Sequence, residues 1–492
     1  MTNNSPVADL DHRRRLLVLA ICCFSIFVVV MDISIVNVAL PAIRQNLNSS
    51  ISGLQWTVDA YTLVLASFLL VAGSTADRFG RRRMFQLGLG VFGLGSLACS
   101  LAPSVGWLIA ARAVQALGGT MLNPVAMAIV ATTFPERSER AKAIGIFGAV
   151  SGLSLALGPI LGGALVDGFG WRSVFLVNIP VVAVAIVCTA AYVPESRASR
   201  PRRFDPVGQL LVVLALGSLV YAIIESGRSG WTSPAVLTPL VIFLGAAISI
   251  LAYEPRRADP LVELRFFRSI PFSSSILMAL IALCGFSSFL FVTMLYLQTV
   301  RGMSALAAGL SFLPVGVLVV ALSPRSGRIV ATRGPRLPLM VSGAALALGG
   351  VVSLWLLPST PLPVVLGSYL LFGVALGAVN PPISNTAVSG MPISMSGAAS
   401  SMASAGRHTG TTLGVAIAGT IVGSTAAPGS RAFTDAEHGV WAMVIGLGAA
   451  LICLAWLSTG HRAMETATRA AARFDDLDRV PQRQPAEAGS VR

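Results

Sequence analysis

Long apolar stretches, separated by short polar and mostly basic punctuation, run from one end of the chain to the other. Their lengths fit helices that cross a bilayer, which need about 17–25 predominantly apolar residues. The pattern predicts fourteen helices. The first six are Leu16–Leu40, Ile51–Ala72, Met84–Leu101, Val105–Thr133, Ala141–Val166 and Val174–Val193. Two more follow, Pro206–Ile224 and Pro234–Tyr253. The last six are Phe272–Val300, Ala305–Ile329, Leu337–Leu357, Leu362–Ala387, Ser396–Gly423 and Val440–Leu457. The expected fold class is an all-α polytopic membrane protein.

The order of these helices suggests an internal repeat. Six helices and a basic loop lead to two extra helices, another basic loop and six more helices. In each set the loop between the second and third helix is basic: GSTADRFGRRR (Gly73–Arg83) and GRIVATRGPR (Gly327–Arg336). Two six-helix halves around a central site form a common plan for secondary transporters. The expected domains are an N-terminal segment (1–15), a six-helix bundle (16–200), two linker helices (201–270), a second bundle (271–460) and a tail (461–492). The tail is polar and is expected to be disordered.

Composition agrees. Hydrophobic residues make up 54% of the 492 and charged residues 11%, against about 25% charged in soluble domains. The net charge of +14 would suit nucleic acid, but its distribution does not. With a cytosolic N-terminus, 28 of the 35 Lys and Arg fall in inner segments and the tail. Five (Arg44, Arg172, Arg228, Arg301 and Arg431) fall in outer loops, and Arg112 and Arg407 lie inside helices. This split follows the positive-inside rule and places both termini in the cytosol. Arg13, Arg14 and Arg15 ahead of an apolar run mimic a signal peptide, but the run is too long and lacks a cleavage pattern, so it reads as a retained first helix. The six cysteines lie in apolar runs without C-x-x-C spacing, and the four histidines form no metal constellation. No metal or cofactor is expected, and no phosphate-binding G-x-x-x-x-G-K-[ST] loop is present.

Candidate chemistry comes from charges at membrane depth, where each costs about 2.5–3.5 kcal/mol on insertion scales. Asp32, Asp59 and Arg112 each lie seven or eight residues from the outer end of their helix. At 1.5 Å per residue all three sit about 10–12 Å below the outer boundary. One Arg and two Asp at one depth suggest a single buried polar cluster facing the bundle interior. A permanent ion pair that only fixes packing is the alternative. A second signal is the fifth helix, which reads GAVSGLSLALGPILGGAL from Gly148. Its small residues permit close helix approach, and Pro159 permits a bend.

These strings resemble the major facilitator superfamily, specifically its 14-helix drug:proton antiporter group, over about residues 13–460. GSTADRFGRRR is similar to the loop motif G-x-L-a-D-R-x-G-R-K, matched at Gly73, Asp77, Arg78, Gly80 and Arg81, with Thr75 for Leu and Arg82 for Lys. LIAARAVQALGG resembles the fourth-helix motif R-x-x-Q-G-x-G at Arg112, Gln115 and Gly118, with Ala116 for a glycine. The fifth-helix string resembles the antiporter motif, matched at Gly152, Gly158, Pro159, Gly162 and Gly163, with Ser154 where a glycine is usual. MDISIVNVALPAI (Met31–Ile43), WRSVFLVNIP (Trp171–Pro180) and YLQ (Tyr296–Gln298) are also similar to this group.

The resemblance implies a major facilitator fold and an exporter of small hydrophobic, or cationic, drugs or antibiotics, exchanged for protons by a monomer in a bacterial inner membrane. It implies that Asp77, Arg78 and Arg81 form a cytosolic latch, and that Arg112 tunes the proton affinity of Asp32. Ala331 stands where the second-half loop would carry its acid. Arg407 is either a packing charge or part of the latch. One rival reading is a facilitator or symporter for a metabolite, against which Asp32 and the fifth-helix motif speak. The other is a membrane enzyme or receptor, for which no active-site cluster or soluble domain is visible.

Overall fold

A computed structural model describes residues 11–134, 136–197, 205–257, 260–355, 359–389, 391, 395–423 and 431–478. The expected domain boundary at 200/201 and the tail beyond 478 lie outside the described residues.

Among the described residues α-helix is found in each of the fourteen expected stretches, and most of these helices extend beyond the apolar run. The first half comprises α1 (His12–Leu47), α2 (Ile51–Phe79), α3 (Arg81–Ser100), α4 (Val105–Thr133), α5 (Arg137–Phe169), and a sixth helix split into α6 (Ser173–Leu176) and α7 (Asn178–Tyr192). The linker helices are α8 (Pro206–Ser229) and α9 (Pro234–Tyr253). The second half comprises α10 (Ile270–Leu295), extended by a π-helical turn over Tyr296–Val300, the pair α11 (Ala305–Leu310) and α12 (Leu313–Arg333), α13 (Arg336–Leu354), α14 (Leu362–Val388), α15 (Ser396–Gly423) and α16 (Arg431–Ser458).

A last helix, α17 (His461–Asp478), corrects the expectation of a disordered tail over those residues. Its sequence repeats Ala at helical spacing, and Ala463, Ala467 and Ala470 are buried. Thr466 Oγ1 accepts from the Ile270 amide at the start of α10 at 3.0 Å.

Among the described residues eleven helices are long and apolar enough to cross a membrane, or twelve if the two arms of α5 form one span. The arms, Lys142–Leu155 and Leu157–Phe169, meet at 40°. The bend lies just ahead of Pro159, which cannot donate to the Leu155 carbonyl. Helices α3 and α15 are not among the eleven, because Gly and Ser, with Arg83 and Gln86 in α3 and Thr, Arg407 and His408 in α15, lower their hydropathy without preventing helix formation.

Packing repeats between the halves. Helix α1 lies on α4, α5 and α7, and α10 lies on α14, α15 and α16 in the same relation. Gly73 of α2 faces Pro124 of α4, and the matching Gly327 of α12 faces Pro381 of α14, which supports the repeat read from the two basic loops. The halves meet along two seams, α2 against α15 and α5 against α11 and α12. Helix α8 covers the first seam, packing on both α2 and α15. Beside the second seam, α5 and α12 carry exposed apolar side chains, including Leu153 and Val320.

Here the end of the bundle at which α1 begins is the near end, and the opposite end is the far end. At the far end the seams are tight. Gly163 of α5 lies so close to α11 that a methyl group would fall 2.6 Å from Leu306 Cα, and Gly309 of α11 abuts the Pro159 carbonyl. Gly158 and Gly162 seat the same helix on Ser34 and Ile35 of α1, while Gly152 faces Val319 of α12. The fifth-helix motif is thus a two-sided contact surface, one side within its own half and one across to the other.

Candidate functional site

Asp32 and Arg112 are fully buried and form an ion pair, Oδ2 to Nη1. Three more helices complete the setting. Gln115 Nε2, one turn along α4 from Arg112, donates to Asp32 Oδ1 at 2.8 Å and to Ser96 Oγ of α3 at 2.8 Å. Asn178 Nδ2, the first residue of α7, donates to the same Asp32 oxygen at 3.2 Å and to Ser96 at 3.3 Å. Arg112 Nη1 also donates to Gln115 Oε1 at 2.7 Å, and its Nε donates to the Thr57 carbonyl of α2 at 3.2 Å. Its guanidinium lies 4.1 Å from the centre of the Tyr61 ring, a cation–π contact strengthened by the absence of water. Arg112, Gln115 and Asn178 all donate to Asp32, a setting suited to a carboxylate. Five helices of one half meet in this network, α4 and α7 donating to Asp32 of α1 and α2 and α3 bonding the donors.

Asp59 does not join them, which corrects the expected three-residue cluster. Its depth is right but its direction is not. At 100° per residue, Asp59 lies about half a turn around α2 from Thr57 and Tyr61, the residues that face Arg112. It shares its face with Gln55 and Thr62, which bond to α15. Gln55 Nε2 donates to the Ala416 carbonyl at 2.7 Å, and the Thr412 hydroxyl donates to Thr62 Oγ1 at 2.8 Å. Asp59 is fully buried on this face, and neither carboxylate oxygen has a hydrogen-bond partner.

At the near end, Asp77 Oδ1 accepts from Arg81 Nε at 3.2 Å and Nη2 at 2.8 Å, bridging α2 and α3 across Gly80. Gly80 has φ of 110°, and a methyl there would meet the Glu195 carboxylate at 2.7 Å. Glu195 follows α7, accepts from the Arg82 amide at 3.1 Å and lies 3.7 Å from Arg83 Nε. The loop motif is therefore fastened within its own half. Arg78 stacks near Phe79, 5.7 Å from the ring centre. No ion pair from Asp77, Arg78 or Arg81 to the other half exists among the described residues. Arg407 points from α15 toward α14, with Nη2 2.6 Å from Ser404 Oγ and Nη1 3.5 Å from Ser384 Oγ. It lies apart from the Asp77 loop.

Sequence reasoning missed three residues. Asn178 stands inside the quoted WRSVFLVNIP string, which signalled it without giving it a role. Glu195 follows directly on Pro194, beyond the last apolar stretch, with no pattern to mark it. Asp167, at the end of α5, accepts from the amides of Ala305 at 3.1 Å and Leu306 at 2.9 Å, capping α11 of the opposite half. It lies one turn beyond Gly163 and completes the fifth-helix surface at the far end. Gln298, from the YLQ string, adds a further tie across the halves, its Nε2 donating to the Val38 carbonyl at 3.0 Å.

An apolar cleft opens on the α5–α12 seam, lined by Gly152, Leu155, Pro159, Phe286, Leu290, Phe312, Val315, Gly316, Val319 and Leu376. No group of three or more metal-ligating side chains occurs among the described residues.

A family model of the Major Facilitator Superfamily matches residues 22–415. The chain belongs to this superfamily. It is therefore a multi-pass membrane transporter and not an enzyme, as the sequence implies. Its relatives include the multidrug resistance protein Stp of Mycobacterium tuberculosis, 37% identical over 412 residues, covering 84% of this chain and 76% of that one. The methylenomycin A resistance protein of Streptomyces coelicolor is 32% identical over 426 residues, covering 86% and 87%. Among solved structures, the peptide transporter POT in complex with sulfate aligns with a TM-score of 0.64 at 15% identity, covering 92% of this chain and 95% of that one. A point mutant of the nucleoside transporter NupG aligns at 0.64 with 10% identity, covering 91% and 100%. At these identities the likeness concerns the fold alone.

Proposed function

We propose that this protein exports small hydrophobic drugs or antibiotics in exchange for protons, and that Asp32 carries the exchanged proton. The observation that carries this reading is the buried Asp32–Arg112 pair and its amide donors. Adding a proton to Asp32 removes the charge that Arg112, Gln115 and Asn178 all address. Arg112 then keeps only Thr57, Gln115 and the Tyr61 ring, and α1 loses its charge-assisted tie to α4 and α7. Chemistry at one carboxylate is thereby coupled to the packing of a whole bundle, as alternating access requires. The fourteen helices all span, with both termini cytosolic, so the far end is the outer face. Its tight seams are those of a state closed to the outside.

In the cycle, a proton from outside reaches Asp32 when the far end opens, and drug leaves. The proton departs inward, and drug binds from the inner side. The apolar lining of the α5–α12 cleft suits a hydrophobic substrate. One proton crossing 100 mV supplies about 2.3 kcal/mol, and a unit of pH adds about 1.4 kcal/mol. Together they sustain a gradient of roughly 10²–10³ for a neutral drug. The names of relatives such as Stp and the methylenomycin A resistance protein agree with export of this kind. Drug-driven proton release from vesicles holding purified protein tests the reading. Its absence with every member of a broad drug panel overturns it.

A further inference from the structure

The second half repeats the plan of the Asp32 pocket with its acid moved. The Asp32 network takes side chains from the first, third, fourth and sixth helices of its half, α1, α3, α4 and α7. The corresponding helices α10, α13, α14 and α16 enclose a small pocket between Thr293, Ser353, Tyr369, Trp441 and Glu437. The register agrees: Arg112 and Tyr369 each stand seven residues after the start of their helices, Val105 and Leu362. Asn178 opens α7, and Glu437 lies in the second turn of α16. Where the first half has an arginine the second has a tyrosine, and where the first has a neutral amide the second has a carboxyl.

Glu437 is 6% exposed, and its Oε1 has no hydrogen-bond partner. Around the pocket the other ionisable groups are Tyr369 of α14, Tyr296 at the end of α10, and Arg301 beyond it. Arg301 is turned to Tyr296, donating from Nε to the phenolic oxygen at 3.2 Å. From α13 the pocket receives only the Ser353 hydroxyl. On α16 itself the neighbouring His438 is exposed. No guanidinium or ammonium lies within ion-pair distance of Glu437 among the described residues. A buried carboxylate oxygen without a partner is costly. Oε1 can be satisfied by a water in the pocket, by a bound cation, or by a proton of its own donated to a hydroxyl oxygen. The pocket has room for a water-sized guest only, and offers no second carboxylate to balance a metal.

We propose that Glu437 is a proton-binding carboxyl of the second half, loaded from the far end and independent of Asp32. The binding of the proton stands apart from the antiport reading; only its use in the cycle rests on that reading. Infrared spectra of the full chain in liposomes, in an Asp32→Asn, Asp59→Asn background, are recorded through an acid-to-alkaline titration. A protonated-carboxyl band that disappears as pH rises, is missing in Glu437→Gln and is shifted in Glu437→Asp supports the proposal. Tyr369→Phe should move the midpoint of that titration while leaving the band in place. A titration unchanged by Glu437→Gln overturns the proposal, as does a carboxyl signal that answers to sodium at fixed pH. If Glu437→Gln fails to insert, an unaltered band in Glu437→Asp overturns it equally. Failure of wild-type protein to release protons on adding drug overturns the antiport reading instead, and leaves this titration standing.

Discussion

In the first half, the space between helices one, four and six is filled by Asp32, Arg112, Gln115 and Asn178, a charged network in which Arg112, Gln115 and Asn178 all donate to one carboxylate. In the second half, the neighbouring space is filled by rings. Phe289 of α10 stacks on Phe372 of α14 at 3.8 Å and 9°, with Phe312, Tyr369 and Trp441 packed around the pair. The same helical plan thus holds two kinds of interior. A charged network rearranges when one proton arrives, whereas an aromatic stack presents the same surface at every pH. The difference teaches that one plan can gather its polar groups in the middle of one bundle and fill the matching middle of the other with rings, leaving the acid of the second half, Glu437, at the edge of the stack beside Tyr369 and Trp441.

Four experiments break or sharpen this contrast. The largest effect is expected from Asp32→Asn, which removes the charge that Arg112, Gln115 and Asn178 address. Uphill export and drug-driven proton release should fall at least about 100-fold, the loss expected when a proton-transfer group is removed, while the protein still inserts. Normal proton release from the mutant would refute the assignment. Phe289→Ala attacks the other half. It should cost about 3–5 kcal/mol of stability through lost packing, read as a lower thermal midpoint in detergent, with the proton-to-drug ratio of surviving protein unchanged. A changed ratio would mean that the stack also senses.

Asp59→Asn tests the carboxylate that belongs to neither interior. An unpaired buried carboxylate gains most from a cationic partner, worth about 1.4 kcal/mol for each tenfold of affinity. Export of a cationic substrate should fall about tenfold, with a matched neutral substrate unaffected; equal loss of both would assign Asp59 to proton transfer instead. The smallest effect belongs to Asp167→Ala. Losing a helix cap costs about 1 kcal/mol, so the far-end seam should open roughly fivefold more often. Labelling of a cysteine placed near Gly309 would report this, and an unchanged labelling rate would show that Asp167 caps without holding the seam.

Much of this was legible in the sequence because bilayers impose simple rules. Helices Val105–Thr133, Pro234–Tyr253 and Ser396–Gly423 begin and end where the apolar pattern placed them. The first two carry local signals: Ser104 accepts from the Trp107 amide, and Pro234 opens its helix. Helix α1 overran its apolar stretch at both ends, because His12–Arg15 and Pro41–Leu47 are helical without being uniformly apolar. The pairing of Asp32 with Arg112 followed from depth. The exclusion of Asp59 did not, because depth along a helix says nothing of direction around it. Asp167 and Glu195 act on backbone amides of distant segments, and no spacing in a linear chain marks that kind of contact. In α17, alternating Ala and charge lowered hydropathy enough to read as a tail, while the helical spacing of its alanines lets it dock on α10.

Helix α8 gives the molecule a front and a back. From Ile51 to Asp77, α2 has no exposed residue, because α8 and α15 shield it from the surroundings. Among the described residues no further helix covers the opposite seam, and α5 and α12 turn apolar side chains such as Leu153 and Val320 outward beside it. A pseudo-symmetric pair of bundles is thus made directional in the plane of the membrane. Acyl chains touch the joint between the halves on one side only. An oily compound dissolved among those chains meets the dividing line, and the apolar cleft behind it, from that side alone.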